Sequence, residues 1–400
     1  MSIVFGIVLA ILILFLLLRL DYTLGRKSHL KKSQAKVYPL RKSDLTFYND
    51  GQKLFKDFFS EVDKAEDHIH IQFYILKNDE FSNSFVTLLT KKAQQGVEVR
   101  LLLDWVGSKS VTKEMENKLK NAGVALAYSN KPTFPYWFYK LNARNHRKVA
   151  AIDGNIGFIG GFNIGKEYIG KDEKFGLWRD YHVKIQGEGV ADLQTQFIHD
   201  WFIATDQVIA GRGTYFPPLP KGKSEMRLVA TDGAYLEEHL IKLLKKAKRE
   251  IMIGSPYFVP GDKLKRELFS AARRGIHLRV LLPKKADHPL VKEASYPFIN
   301  ELASEGIRFF MFTEGFYHAK VIIIDDEICD IGTTNFDKRS LYSNYEINCY
   351  IFDSEFVQFV MKEIQKDFEE STELTKNEIE QKMTKNAFKI KIATLLSHFL

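Results

Sequence analysis

The sequence predicts two similar α/β sandwich domains related by a pseudo-twofold, preceded by one N-terminal transmembrane helix. Three observations carry that expectation. The pattern His146-x-Lys148-x4-Asp153 returns as His318-x-Lys320-x4-Asp325. Each copy is followed by a small-residue pair and an asparagine, Gly160-Gly161-Phe162-Asn163 and Gly332-Thr333-Thr334-Asn335, with an identical His-to-Asn interval of 17 residues. The segments around the two copies alternate strand-like and helix-like stretches in the same order. Finally, residues 3–18 form an uninterrupted apolar run closed by Arg19.

The apolar run leads to an anchor over residues 1–20. Its sixteen residues rise about 24 Å, a little short of a bilayer core, and Leu20 with a snorkelling Arg19 extends it. The competing reading is a cleaved signal peptide, but no basic residue precedes the run and no small-x-small site follows it. Residues 21–45 form a basic linker carrying Arg26, Lys27, Lys31, Lys32 and Lys36. A basic flank on that side favours a single-pass protein of the cell membrane with its domains in the cytoplasm. No second apolar run of that length exists.

The first domain is expected over 46–215 and the second over 216–365. Residues 67–75 correspond to 249–258 as the opening strand of each half. A helical stretch follows (85–89; 264–272), then the strands after Gly96 and Gly275. Helices ending on Gly123 and Gly306 come next, each before another strand. Neither half holds a complete site, so the halves are expected to pack face to face and bring both His-Lys pairs to one cleft. Residues 366–400 form a helical tail. Within it, Phe388, Ile392, Leu395 and Leu396 share one helical face, as an interfacial helix or one docked on the second domain would. The acidic stretch 366–381 reads as a solvated helical face.

The motif residues suit phosphodiester chemistry: imidazoles as nucleophile and acid, lysines for phosphate charge, Asn163 and Asn335 amides for the remaining oxygens. His146 and Lys148 read as a strand running into the Asp153-Gly154 turn, where residues two apart share a face. His318 and Lys320 repeat this before Asp325. Seven residues of strand span roughly 23 Å, which removes Asp153 and Asp325 from their own histidines and makes them structural. A working histidine needs a group on its other ring nitrogen. Asp180, in Trp178-Arg-Asp-Tyr-His182, and Glu346, in Asn344-Tyr-Glu-Ile-Asn348, lie 34 and 28 residues after His146 and His318 and suit that task.

Other signals narrow the class. The net charge of +8 fits anionic lipid or nucleic acid, and the anchor favours lipid. Cys329 and Cys349 are the only cysteines, too few for a disulfide framework or thiolate metal site. His68, His70, His182 and His277 lack metal-ligand spacing and read as structural; no metal or cofactor is expected. Five aromatics within Phe134-Pro-Tyr-Trp-Phe-Tyr-Lys140 suit either the headgroup boundary or packing between the halves.

On these motifs the chain resembles the phospholipase D superfamily, and more closely its bacterial membrane-anchored cardiolipin synthases. The carrying stretches are residues 144–148, 159–164, 178–182, 230–233, 287–290 and 333–340, and the resemblance runs from about residue 45 to the end of the second half. Many such relatives carry two hydrophobic segments; this chain has one. The resemblance implies two phospholipase D-type domains and transfer of a phosphatidyl group from one phosphatidylglycerol to another, without cofactor. His146 would be the nucleophile and His318 the acid and base, with Lys148, Lys320, Asn163 and Asn335 on the phosphate and Asp180 and Glu346 orienting the rings. Asp153 and Asp325 enter the site as family motif members. Phosphatidylglycerol and anionic membrane lipid are the implied partners, with no nucleic acid and no obligate protein. Hydrolysis, another acceptor alcohol and, more distantly, phosphodiesterase or nuclease activity are the alternatives.

Overall fold

The computed structural model describes residues 2–210, 213–288 and 290–396. Met1, Pro289 of the 287–290 stretch and the last four residues of the tail lie outside them.

Each half is one mixed sheet, and the two sheets match strand for strand. The first runs Ala125–Ser129, Glu98–Asp104, His68–Phe73, Val149–Ile152, Ile156–Gly160, Leu177–Gly187 and Arg41–Asp50. The second runs Arg308–Phe312, His277–Pro283, Glu250–Gly254, Val321–Ile324, Ile328–Gly332, Tyr345–Ile351 and Ser224–Asp232. The first three strands of each are parallel and the rest antiparallel, and helices such as Glu80–Gln94 and Asp262–Arg273 make the crossovers. Each half therefore opens one strand earlier than the sequence suggests. Arg41–Asp50 straddles the expected 45/46 boundary, its charged residues having masked it as linker.

The halves are joined in two ways. Arg41, Lys42 and Ser43 pair with Met226, Glu225 and Ser224, and the short strand Gly315–Tyr317 pairs in parallel with residues 177–179 of the first sheet. Their inner faces also share one core, in which Ile159, Val183 and Ile185 meet Met252, Ile323, Ile331 and Ile347. The face-to-face arrangement follows from strands that are apolar on both sides: one face packs on helices, the other on the sister sheet.

The N-terminal helix, Ser2–Leu30, is apolar and long enough to cross a membrane. It continues through the expected linker as far as Leu30, because no proline stands between Arg19 and Leu30 and the single Gly25 is tolerated. Its last third docks on the protein. Tyr22 packs edge-on to Tyr139 at 5.4 Å, and the Tyr22 hydroxyl lies 3.0 Å from the Ser343 hydroxyl. A Cβ on Gly25 would come within 2.5 Å of the Tyr139 Cβ, so glycine permits this close approach. The aromatic segment thus packs on the helix rather than between the halves, and leaves Phe134 86% exposed.

The tail also differs from expectation. Helix Ser354–Glu369 crosses the 365/366 boundary, and Ser371–Glu373 adds a strand to the Arg308–Phe312 edge. Helix Ala387–Leu396 docks through Ile390 and Ala393, which are buried, and turns Phe388 and Leu395 outward.

Candidate active site

Both histidines sit in extended segments just ahead of a hairpin strand, which begins one residue after each lysine, at Val149 and Val321. What positions them is the opposite half. The His146 N–H donates to the Tyr345 carbonyl at 2.9 Å, and the His318 N–H to the Arg179 carbonyl at 2.7 Å. The next residue along each of those strands is the carboxylate. Glu346 accordingly meets His146, both oxygens lying 3.1 Å from Nδ1, while Asp180 Oδ2 lies 2.6 Å from Nδ1 of His318. The within-half pairing that the downstream spacing suggested is corrected: each carboxylate serves the other half's histidine.

Both carboxylates are fully buried and well supplied with donors. Thr333 and Ser340 donate to Glu346 at 2.5 and 2.8 Å. Asp180 accepts the Tyr181 N–H at 2.8 Å and Lys320 Nζ at 3.3 Å. Gly161, the counterpart of Thr333, leaves room: a Cβ there would lie 2.0 Å from Asp180 Oδ1. Burial alone would raise both acids. The hydrogen-bonded ring and the lysine beside each, His146 and Lys148 for Glu346, His318 and Lys320 for Asp180, hold both below the usual carboxylate range.

Lys148 donates to the His146 carbonyl at 2.7 Å, and Lys320 donates to the carbonyl of His318. Burial lowers the proton affinity of both amines, and for Lys148 the neighbouring Lys320 charge adds to this. His146, His318, Asn163 and Asn335 all line one cleft of about 690 Å³. Asn163 accepts the Ile75 N–H at 3.1 Å through Oδ1, and the Asn335 Oδ1 is buried without a partner.

Asp153 and Asp325 sit at the far ends of their strands. Asp153 accepts the N–H groups of Glu66, Asp67 and His68 at 2.8, 2.9 and 2.9 Å. Asp325 accepts those of Lys248, Arg249 and Glu250 at 3.0, 2.9 and 2.9 Å. Neither reaches a histidine of the motif. Sequence reasoning missed the supports around the site. Asp104 binds Arg144 and the Asn145 N–H, and Arg147 is buried between Asp200 and Asp232 at 2.5 Å from each. Tyr74 packs edge-on to His146 and Trp178 packs tilted against His318, both at 4.9 Å between ring centres. Arg144, Arg147 and Trp178 lie inside the motif stretches, which is the one signal that could have marked them.

Burial pushes the rings of His146 and His318 down to about 4, against the nearby carboxylates and helped by Lys148 and Lys320. Both are therefore neutral at pH 7, with a lone pair available. An unfolded chain takes up these protons below about pH 6.5 and the folded protein only near pH 4, so stability is complete above 6.5 and falls as the pH drops through that window. At pH 5 the loss is about 2 kcal/mol per ring. The thermal midpoint in detergent should drop from pH 7.5 to 5, and drop less in a His146→Asn/His318→Asn double variant. An equal drop in both proteins would contradict the assignment.

Comparison with known proteins agrees along most of the chain. Residues 58–201 and 240–370 match the family described as "Cardiolipin synthase, PLD-like domain". The minor cardiolipin synthase of Bacillus subtilis (strain 168) is 39% identical over 400 residues, covering 100% of each chain. A cardiolipin synthase of Oceanobacillus iheyensis is 38% identical over 379 residues, 93% of this chain and 78% of that protein. Among solved structures, phosphatidylserine synthase of Haemophilus influenzae Rd KW20 superimposes with a TM-score of 0.71 at 14% identity, over 91% of this chain and 97% of that one; it attests the fold.

Proposed function

The chain belongs to the cardiolipin synthase family of phospholipase D-like enzymes, and we propose that its cleft transfers a phosphatidyl group between two phosphatidylglycerol molecules through a phosphohistidine on His146. One observation carries this reading: two buried histidines, each held at Nδ1 by the other half's carboxylate, open with both asparagines on a single cleft. With Nδ1 engaged, Nε2 is the nitrogen left to face the phosphate.

In the first step His146 Nε2 attacks phosphorus and forms a P–N bond. The bond from phosphorus to the glycerol oxygen breaks, and His318 passes its proton to that oxygen. The diester's negative charge supplies what the His318 ring needs to carry the proton at neutral pH. In the second step the terminal hydroxyl of another phosphatidylglycerol returns a proton to His318, its oxygen bonds to phosphorus, and the P–N bond breaks. Lys148, Lys320, Asn163 and Asn335 stabilise charge on the phosphate oxygens as it develops. Asp153 and Asp325 take no chemical step; they fix the strand ends.

The Ser2–Leu30 helix serves as the anchor, and its basic flank supports a cytoplasmic side for the domains. Docking of the 134–140 aromatics on Tyr22 and Gly25, directly after the apolar run, supports a headgroup contact for the exposed Phe134 and the partly exposed Trp137. A Phe134→Ser/Trp137→Ser protein should lose about tenfold activity on vesicles while keeping it in detergent micelles. Equal loss in both media would remove the lipid contact.

The deciding experiment gives purified protein phosphatidylglycerol alone, in detergent with chelator, and identifies products by mass spectrometry. Cardiolipin with matching free glycerol is expected. Phosphatidic acid alone would mean that water takes the second step.

A further inference from the structure

The two halves match in their histidines, lysines, asparagines and turn aspartates, but their cleft walls differ. On the second-half side Tyr257 donates its hydroxyl to Asp287 Oδ2 at 2.5 Å, and the His288 N–H donates to Oδ1 at 2.8 Å. Asp287, His288 and Tyr257 all line the cleft that holds His318. The loop carrying them reaches across to the first half, where Lys285 donates to the carbonyls of Lys174 and Phe175 at 3.3 and 3.4 Å. Phe175 and Trp178 face the same space, and Trp178 packs tilted against the His318 ring.

The first half does not repeat this loop: its acid in the cleft wall, Glu167, comes from a different segment and is paired with Lys77 at 3.3 Å. Matching bridges, Leu76 to Ile164 and Phe258 to Phe336, set Ile75 opposite Tyr257. The equivalent loop, residues 105–112, contains neither an acid nor a histidine. Asp104, just before it, is buried and occupied by Arg144 and three backbone N–H groups. A transfer reaction with a lipid on one side and an exchanging alcohol on the other requires such asymmetry, and the alcohol belongs beside the acid–base histidine.

Resting on the proposed transfer reaction, we infer that Asp287, held by Tyr257, is the specificity residue for the alcohol. It would accept a hydrogen bond from the second hydroxyl of a glycerol headgroup while His318 handles the first. An ionised carboxylate only accepts, so it selects a group with a spare O–H donor. Lys174, Lys285 and Lys292 border the same region, which disfavours an ammonium headgroup. The Phe175 and Trp178 rings supply an apolar face for the carbon skeleton. The leaving glycerol of the donor and the entering glycerol of the acceptor would use the same place in turn.

Full-length enzyme would be given unlabelled phosphatidylglycerol with equimolar deuterated glycerol, 1-propanol and ethanolamine, and the phosphatidyl products counted by mass spectrometry. These alcohols compete for one intermediate, so the product ratios read only the second step. Wild type should favour glycerol over 1-propanol. Asp287→Ala should reduce that preference about tenfold, as expected for one hydrogen bond to a charged group. Asp287→Asn, whose amide oxygen still accepts, should keep most of it. An active Asp287→Ala protein with unchanged glycerol preference overturns the inference. A loss confined to ethanolamine overturns it in favour of an ammonium site. Wild type that forms neither cardiolipin nor any alcohol adduct overturns the proposed function itself, a separate result, and wild type that forms cardiolipin but shows no preference for glycerol over 1-propanol overturns the inference.

Discussion

His146→Ala protein given phosphatidylglycerol labelled in its phosphate should form neither cardiolipin nor a labelled polypeptide, its turnover falling by about 10⁴-fold or more. The reason is geometric. His146 is a neutral buried ring, Nδ1 tied to Glu346, lining the cleft beside Asn163. Alanine removes the ring that bonds to phosphorus, and the remaining cleft histidine, His318, is assigned to the proton. His318→Ala should also stop steady turnover, yet still take label slowly, because attack on the diester needs only His146 while departure of glycerol needs a proton. Label that persists in His146→Ala but vanishes in His318→Ala would exchange the two roles. The same assay reads the crossed carboxylate. Glu346→Gln keeps the shape but offers the ring the wrong charge, and labelling should slow by about 10²–10³-fold. Loss of labelling from a residue 200 positions away, in the other half, is a result that two independent half-sites could not give.

The duplication, the single anchor and the residue types of the site were legible in the chain, because each depends on local pattern. The Asp153-Gly154 turn is an example: both residues take the positive φ, 49° and 65°, that such a hairpin needs. The crossing of the carboxylates was not legible. It follows from parallel pairing between Asn145 and Tyr345 and between Tyr317 and Arg179, contacts across the pseudo-twofold that no spacing within one half encodes. Likewise Arg41–Asp50 carries too many charged side chains to announce a strand, and only its pairing with both halves makes it one. Residues 287–290 stood among the stretches that carry the family resemblance, yet no role for Asp287 followed from them, because this loop is where the two halves differ.

Asp153→Asn should lower stability by about 2–4 kcal/mol, seen as an earlier thermal midpoint, while the folded fraction keeps its rate per molecule. One carboxylate collects three backbone N–H groups at the start of strand His68–Phe73, and an amide can satisfy only part of that set while turning a donor against the rest. Asp325→Asn should cost a similar amount, since it holds residues 248–250 in the same way. The two sites lie in separate halves and share no partner, so the double variant should lose close to the sum. The motif would then join two demands on one hairpin: a histidine and lysine at the cleft end, and an aspartate that pins the other end to the central strand. A variant with wild-type midpoint and lost turnover would instead give the aspartate a chemical part, which its distance along the strand opposes.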